Sequence, residues 1–219
     1  MAFVKGVESE GLTSPGLGRV TLAFVLAASL GLFLSWLAYP AYYSPVTSEV
    51  SELGSTTGNP HGYYFFSAGF LTSGAALVAL GTRLKRLVVP ASAFWGKLGV
   101  GAFLAGSVGW GLVGAFPSDV NRPLHLTAAG AAFVGTFASL LALALPLSKV
   151  ASKRWLLALA YAPVLAASVA TIARVVVPIA FDPAFRFESP PPAWPACEWS
   201  AFASAIWWIV GSTLACSKR

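Results

Sequence analysis

The chain is poor in charge. Of its 219 residues only 10% are Asp, Glu, Lys or Arg, whereas 57% are hydrophobic. A soluble domain carries about 25% charged residues, so this chain has too few to cover a surface that faces water. The composition excludes an ordinary soluble enzyme, a disordered segment and a nucleic-acid-binding protein. It predicts an integral membrane protein that forms one domain and has membrane lipids as partners.

Cysteine, glutamine and methionine are also scarce. Cys197 and Cys216 lie in one apolar segment, roughly 28 Å apart if it is helical, which is too far for a disulfide. No cysteine or histidine spacing typical of a metal site occurs, nor any nucleotide-binding or haem-binding motif, so we expect no metal and no cofactor. One Met and no Gln favour a thermophilic source, although a GC-rich genome would give the same composition.

Six apolar stretches are long enough to cross a membrane as helices. Because these runs are continuous and do not alternate, a β-barrel is excluded. The first lacks a small-residue cleavage site at its end and is interpreted as a membrane helix, not a signal peptide. We therefore predict an all-α bundle of six transmembrane helices over 19–215, after a cytoplasmic segment 1–18 and before a tail 216–219. The predicted spans are Arg19–Tyr39, His61–Thr82, Lys97–Phe116, Leu124–Leu147, Trp155–Val177 and Cys197–Ala215.

The basic residues sort to one side of these spans. With six spans both termini share a side, which would hold all the Lys and Arg residues except Arg122, Arg174 and Arg186. Because cytoplasmic loops carry the excess of Lys and Arg, both termini are predicted to be cytoplasmic in a multi-pass protein of the cell membrane. The acids sort the opposite way. The predicted outer side holds Glu49, Glu52, Asp119, Asp182, Glu188 and Glu198.

The ionisable groups that can enter the bundle lie near its predicted outer end. His61, His125 and Glu198 each follow a proline at the start of an inward-going helix. Arg174 lies within the fifth span, and an intramembrane arginine usually faces a partner or a watery cavity. It could bind an anionic headgroup or pair with an acid. We predict a ligand-binding site in a polar pocket open to the outer face, formed by Arg174, His125, Glu49, Glu52, Asp119 and Glu198.

Other interpretations of the same residues stay open. His61, His125, Asp119 and Glu52 are candidate catalytic groups for acid–base or metal chemistry, although no tight motif such as H-x-x-x-H is present. The alternatives to lipid or amphiphile binding are therefore an intramembrane hydrolase or transferase, and a small transporter or accessory subunit of a membrane complex.

Two further patterns predict local structure. Ser48 and Ser51 could cap a short interfacial helix. Small residues that recur every four positions would let helices approach closely, within the chain or in a homo-oligomer. These stripes are Gly101, Ala105 and Gly109 in the third span and Thr127, Ala131, Gly135 and Ser139 in the fourth.

Two short motifs resemble a known family. Val50-Ser51-Glu52-Leu53-Gly54, followed by Asn59-Pro60, Phe65-Phe66 and Gly69, resembles the signature I-S-[DE]-L-G…P…F-N…G. Phe116-Pro117-Ser118-Asp119 followed by His125 resembles F-P-x-D…H. Both are similar to signatures of the prokaryotic six-helix family known as domain of unknown function 998, itself distantly similar to the DRAM-like membrane proteins. The resemblance implies the fold and no activity. It points to Ser51, Glu52, Pro60, Asp119 and His125, whereas Phe66-Ser67 replaces the phenylalanine–asparagine pair.

Overall fold

The computed structural model describes residues 15–171, 173 and 194–216. They form only helices, with no strand among them, so the all-α prediction is confirmed. A 3₁₀ helix, Val50–Gly54, lies between the first two α-helices. The α-helices are α1 Pro15–Leu37, α2 Tyr63–Ala91, α3 Ala93–Ala115, α4 Arg122–Val150, α5 Arg154–Thr171 and α6 Trp194–Cys216.

Five of these helices, all but α5, are long and apolar enough to cross a membrane. The chain is therefore a multi-pass membrane protein by the length and composition of its helices. The predicted fifth span ran to Val177, so its last turns, Arg174 and most of the following loop lie outside the described residues. The same is true of 1–14 and 217–219.

Two helices extend past their predicted ends. α2 and α4 have 29 residues each, which gives a length of about 43 Å against a hydrocarbon core of about 30 Å. The prediction stopped at Thr82 and Leu147 because the apolar run ends there. A helix need not end where the lipid ends, since polar residues such as Arg83 and Lys85 continue its backbone hydrogen bonds in the interface.

The described charges divide between the two ends of the bundle. We call one end the acidic end: it comprises the 38–62 loop, the 116–121 turn and the start of α6, and it holds every described acid. The opposite end, which comprises the start of α1 and the α2–α3 and α4–α5 turns, is the basic end. The described basic side chains other than Arg122 lie there: Arg19, Arg83, Lys85, Arg86, Lys97, Lys149, Lys153 and Arg154.

Consecutive helices α1 to α4 pack side by side, and α5 packs mainly on α6. Glycines permit the closest approaches. A Cβ on Gly31 of α1 would lie 2.7 Å from the Gly69 Cα of α2. Between α3 and α4, a Cβ on Gly135 would lie 2.5 Å from the backbone nitrogen of Gly106. Such contacts let backbones touch where side chains would hold them apart.

The predicted small-residue stripes are only partly correct. Gly109 and Gly135 do lie in the α3–α4 interface within the chain. Gly101 and Ala105 are exposed, as are Thr127 and Ala131. A strict four-residue spacing drifts around a helix of 3.6 residues per turn, so a real contact stripe alternates steps of four and three. On α4 that buried stripe is Ala128, Ala132, Gly135 and Ser139.

Aromatic rings join α6 to the helices of the first half. Trp110 of α3 lies 5.4 Å from Phe70 of α2 and 4.8 Å from Phe202 of α6, measured between ring centroids. Phe66 stacks on Phe70 at 4.2 Å. This cluster of rings packs the first half of α6 against α2 and α3, near the loop that precedes α2.

Candidate functional site

A short segment, residues 48–59, covers the acidic end between α1 and α2, and we call it the cap loop. It contains the short helix that the sequence predicts, although Glu49 and not Ser48 precedes the first turn. The backbone N–H of Glu49 donates to Glu52 Oε1 at 3.1 Å, and the Ser51 hydroxyl donates to Glu49 Oε2 at 3.1 Å. The side chains of Glu49 and Glu52 therefore accept hydrogen bonds from residues at the start of the short helix itself.

Asn59 links the cap loop to α1 and to the start of α2 by hydrogen bonds. Its side chain is fully buried, and its amide nitrogen donates to Leu53 O at 2.9 Å and to Ser35 O at 3.0 Å and Oγ at 2.9 Å. Its amide oxygen accepts from the Gly62 N–H at 3.1 Å. Ser35 also donates to Leu53 O at 2.7 Å. Sequence reasoning did not select Asn59, although one of only two asparagines in an apolar chain was a usable signal.

Tyr43 and Trp199 bind the start of the cap loop by hydrogen bonds. The Trp199 indole donates to Ser48 O and to the Tyr43 hydroxyl, both at 3.2 Å. The Tyr43 hydroxyl in turn donates to Glu49 O at 2.7 Å. Burial raises the pKa of Tyr43 well above its usual range, and the charge of Glu198 adds to this, so the phenol keeps its proton and stays a donor.

Three acidic side chains accept hydrogen bonds at the start of the short helix, and we call Glu49, Glu52 and Glu198 the acidic cluster. Glu198, four residues into α6, accepts from the Val50 N–H at 3.0 Å. Glu52 also accepts from the Tyr39 hydroxyl at 3.5 Å. The structure thus brings together three of the six residues predicted for the ligand site.

Asp119 lies in the turn between α3 and α4 and binds the cap loop. Its Oδ2 accepts from the Thr57 N–H at 2.8 Å and from the hydroxyls of Ser55, Thr56 and Thr57 at 2.9–3.0 Å. Partial burial raises the pKa of Asp119, but the hydrogen bonds from Thr57 and Thr56 lower it more, so the net pKa lies below its ordinary value. Asp119 therefore joins the α3–α4 turn to the tip of the cap loop.

Replacing Asp119 by alanine should loosen the tip of the cap loop. Because the pKa of Asp119 is lowered by folding, its contribution is present above the unfolded value of about 3.9. It is lost only as pH falls through the lower folded value. Hydrogen exchange at pH 7 should therefore be several-fold faster for the Thr57 amide in Asp119→Ala. The neighbouring Ser118→Ala should leave it unchanged. Equal exchange in both variants would contradict this role of Asp119.

The two histidines have different surroundings. His125, in the first turn of α4, is buried, and its Nδ1–H donates to Phe116 O at the end of α3, at 2.8 Å. His61 is exposed and precedes α2 instead of lying on it. Within the described part of the chain, no three His, Cys, Asp or Glu side chains are placed to hold a metal ion. Arg174, the remaining predicted ligand group, lies outside the described residues.

The two signature motifs therefore meet at the cap loop. Leu53 is fully buried, and its carbonyl takes the Ser35 and Asn59 hydrogen bonds. A Cβ on Gly54 would lie 2.5 Å from the Phe66 ring, so a larger residue there would have to displace that buried ring. Asp119 and His125 of the second motif hold the loop tip and the α3–α4 turn. These contacts give a physical reason for most of the residues in both motifs.

The comparison with family models identifies the chain. The model described as "Protein of unknown function (DUF998)" matches residues 21–215, which is most of the chain. The protein therefore belongs to this family, as the two motifs predicted. Comparisons with curated proteins and with solved structures gave no match.

Proposed function

We propose that this protein binds a lipid or another amphiphile at the acidic end of its bundle, on the outer face of the cell membrane. The observation that carries the proposal is that Glu198 of α6 lies at the start of the short helix that contains Glu49 and Glu52. Three carboxylates close together favour a ligand that brings positive charge. Neighbouring Tyr39 and Trp199, which are half-buried, and the exposed Tyr42 supply the aromatic surface typical of the membrane interface.

The headgroup that suits this arrangement carries an ammonium group and a phosphate. The ammonium would lie on the acidic cluster, where desolvation strengthens a charge-assisted hydrogen bond. Arg174, four residues before Pro178 in the sequence, would bind the phosphate. An arginine within a predicted membrane span usually faces such an anionic partner. A zwitterionic phospholipid meets both requirements.

The proposal includes six spans with both termini in the cytoplasm. The positive-inside rule supports it, because the described basic residues other than Arg122 lie at the basic end. Tyr42, which is 89% exposed in the loop at the acidic end, offers a labelling position. Lys85 offers one at the basic end.

Cysteine labelling should establish this orientation. In a chain with Cys197→Ser and Cys216→Ser, we expect Tyr42→Cys to react with an impermeant maleimide in intact cells. Lys85→Cys should react only after permeabilisation, since its side would face the cytoplasm. The reverse pattern would overturn the orientation and move the acidic end inside.

Lipid retention tests the binding itself. Native mass spectrometry of the purified protein with phosphatidylethanolamine should show bound lipid. Glu198→Gln and Arg174→Ala should each weaken binding about tenfold, the effect of losing one charge-assisted hydrogen bond. With phosphatidylglycerol, which lacks the ammonium group, Arg174→Ala should weaken binding and Glu198→Gln should not.

Matched controls remove the same charge elsewhere. Arg86→Ala lies at the basic end and Glu10→Gln in the N-terminal segment, and both should retain the lipid. Unchanged retention in Glu198→Gln and Arg174→Ala would exclude the site. Turnover of a lipid ester that is lost in His125→Ala would instead favour the hydrolase alternative. A protein that co-purifies stoichiometrically would favour an accessory subunit.

A further inference from the structure

A second polar location lies near the basic end, away from the acidic cluster. A small cavity lies where α6 faces α2, α3 and α4, and we call it the seam cavity. Leu84, Phe103 and Leu147 form part of its apolar wall, and α6 contributes Trp208 and Ser212. α6 packs mainly on α5 and touches α4 at few points, which explains why a gap remains on this side.

Two buried polar atoms at this cavity are unpartnered. Among the described residues, Trp208 Nε1 and Ser212 Oγ are buried and form no hydrogen bond. Trp208 is 2% exposed and Ser212 is 7% exposed. They are four residues apart on α6 and so share one face of the helix. Both side chains line the cavity.

The neighbouring polar side chains do not form hydrogen bonds with Trp208 Nε1 or Ser212 Oγ. Tyr161 meets the Trp208 ring edge to face at 6.0 Å. Its hydroxyl donates to Leu140 O at 2.9 Å and does not reach hydrogen-bonding geometry with Trp208 Nε1. Thr213, beside Ser212, exchanges its hydrogen bond with Thr21 at 3.0 Å. A buried polar group left unpaired costs about 1–3 kcal/mol, so a partner for these two atoms would stabilise the protein.

The size of the cavity selects its occupant. The space open to the centre of a water molecule is about 10 Å³, which is about the minimum that one water needs. A small-molecule ligand needs a pocket of at least about 300 Å³, so a headgroup or substrate is excluded. Water also has the required chemistry, since it accepts from an indole N–H and both donates to and accepts from a hydroxyl.

We propose that the seam cavity binds one ordered water molecule that bridges Trp208 Nε1–H and the Ser212 hydroxyl. Immobilising such a water costs about 0–2 kcal/mol, less than leaving two polar atoms unpaired. This water site is separate from the proposed lipid site at the acidic end. Through it, α6 forms a polar contact inside the apolar core.

Water-selected nuclear Overhauser spectroscopy on the full chain with ¹⁵N-labelled tryptophan tests this proposal. The Trp208 indole resonance is assigned with Trp208→Phe. We expect a cross-peak from Trp208 Nε1–H to a bound water in the wild type, reduced at least severalfold in Ser212→Ala and restored in Ser212→Thr. Trp110 is the internal control. Its buried indole already donates to Thr136 Oγ1 at 3.4 Å and should show no such peak.

Three results would overturn the proposal. The first is a wild-type spectrum in which the folded Trp208 indole shows no contact with water. The second is a contact with lipid or detergent methylene protons in its place, which would mean that a chain fills the cavity. The third is a water cross-peak of unchanged intensity in Ser212→Ala. The wild-type spectrum decides the first two, so the test stands even if a variant does not fold.

Discussion

Gly135→Ala should lower the thermal stability of the protein, whereas Gly130→Ala on the same helix should not. A Cβ on Gly135 would lie 2.5 Å from the Gly106 nitrogen and 2.7 Å from its Cα, both backbone atoms that cannot rotate away. The α3 and α4 helices would have to separate, and overpacking of this kind costs about 1–3 kcal/mol. We expect a melting temperature about 5 °C lower or more, measured by tryptophan fluorescence in detergent.

Gly130 is the matched control for this substitution. A Cβ there meets nothing within 4 Å, and alanine is favoured over glycine within a helix by about 1 kcal/mol. Gly130→Ala should therefore be neutral or slightly stabilising. Equal shifts in the two variants would show that α3 and α4 do not meet at Gly135.

Asn59→Ala should be the most damaging substitution in the cap loop. It removes the donor to Ser35 and Leu53 and the acceptor of the Gly62 N–H in a fully buried position. With about 1–3 kcal/mol for each polar group left unpaired, we expect a loss of roughly 3 kcal/mol in the free energy of unfolding, measured by chemical denaturation in detergent. Asn59→Asp should not rescue the protein, since a carboxylate cannot donate to these oxygens.

The only other asparagine supplies the control. Asn121 precedes α4, and its side chain accepts from the Leu124 N–H at 3.2 Å in an ordinary N-cap. Losing such a cap costs about 1 kcal/mol. A loss in Asn59→Ala no larger than that in Asn121→Ala would mean that Asn59 does not hold the cap loop.

Five of the six predicted spans correspond to helices of membrane-crossing length, because a long apolar run has few other solutions in lipid. The sequence predicted helix ends less well, since Arg83 and Lys85 end the apolar run but not the hydrogen bonding of α2. Contacts between helices depend on the rotation of each helix about its axis. A repeat every fourth residue does not determine that rotation, so within the chain Gly109 lies in the α3–α4 interface and Gly101 does not.

The candidate site shows the same limit. Charge sorting and the two motifs located the acidic end and its acids correctly along the chain. They could not show that Glu198 contacts Val50 or that Asp119 binds the cap loop, because these are contacts between residues distant in sequence. Asn59 was missed because its importance comes from its complete burial. The sequence alone does not show that a polar residue in a loop is buried.

The most direct test of the proposed lipid site is to map cross-links from a phosphatidylethanolamine that carries a photoreactive group on its headgroup. If the lipid binds at the acidic cluster, cross-links should form to residues 43–52 and 194–199 of the wild type. In Glu198→Gln these should be strongly reduced, while cross-links at the basic end should be unchanged. Labelling at the acidic end that is equal in wild type and Glu198→Gln would contradict binding at the acidic cluster.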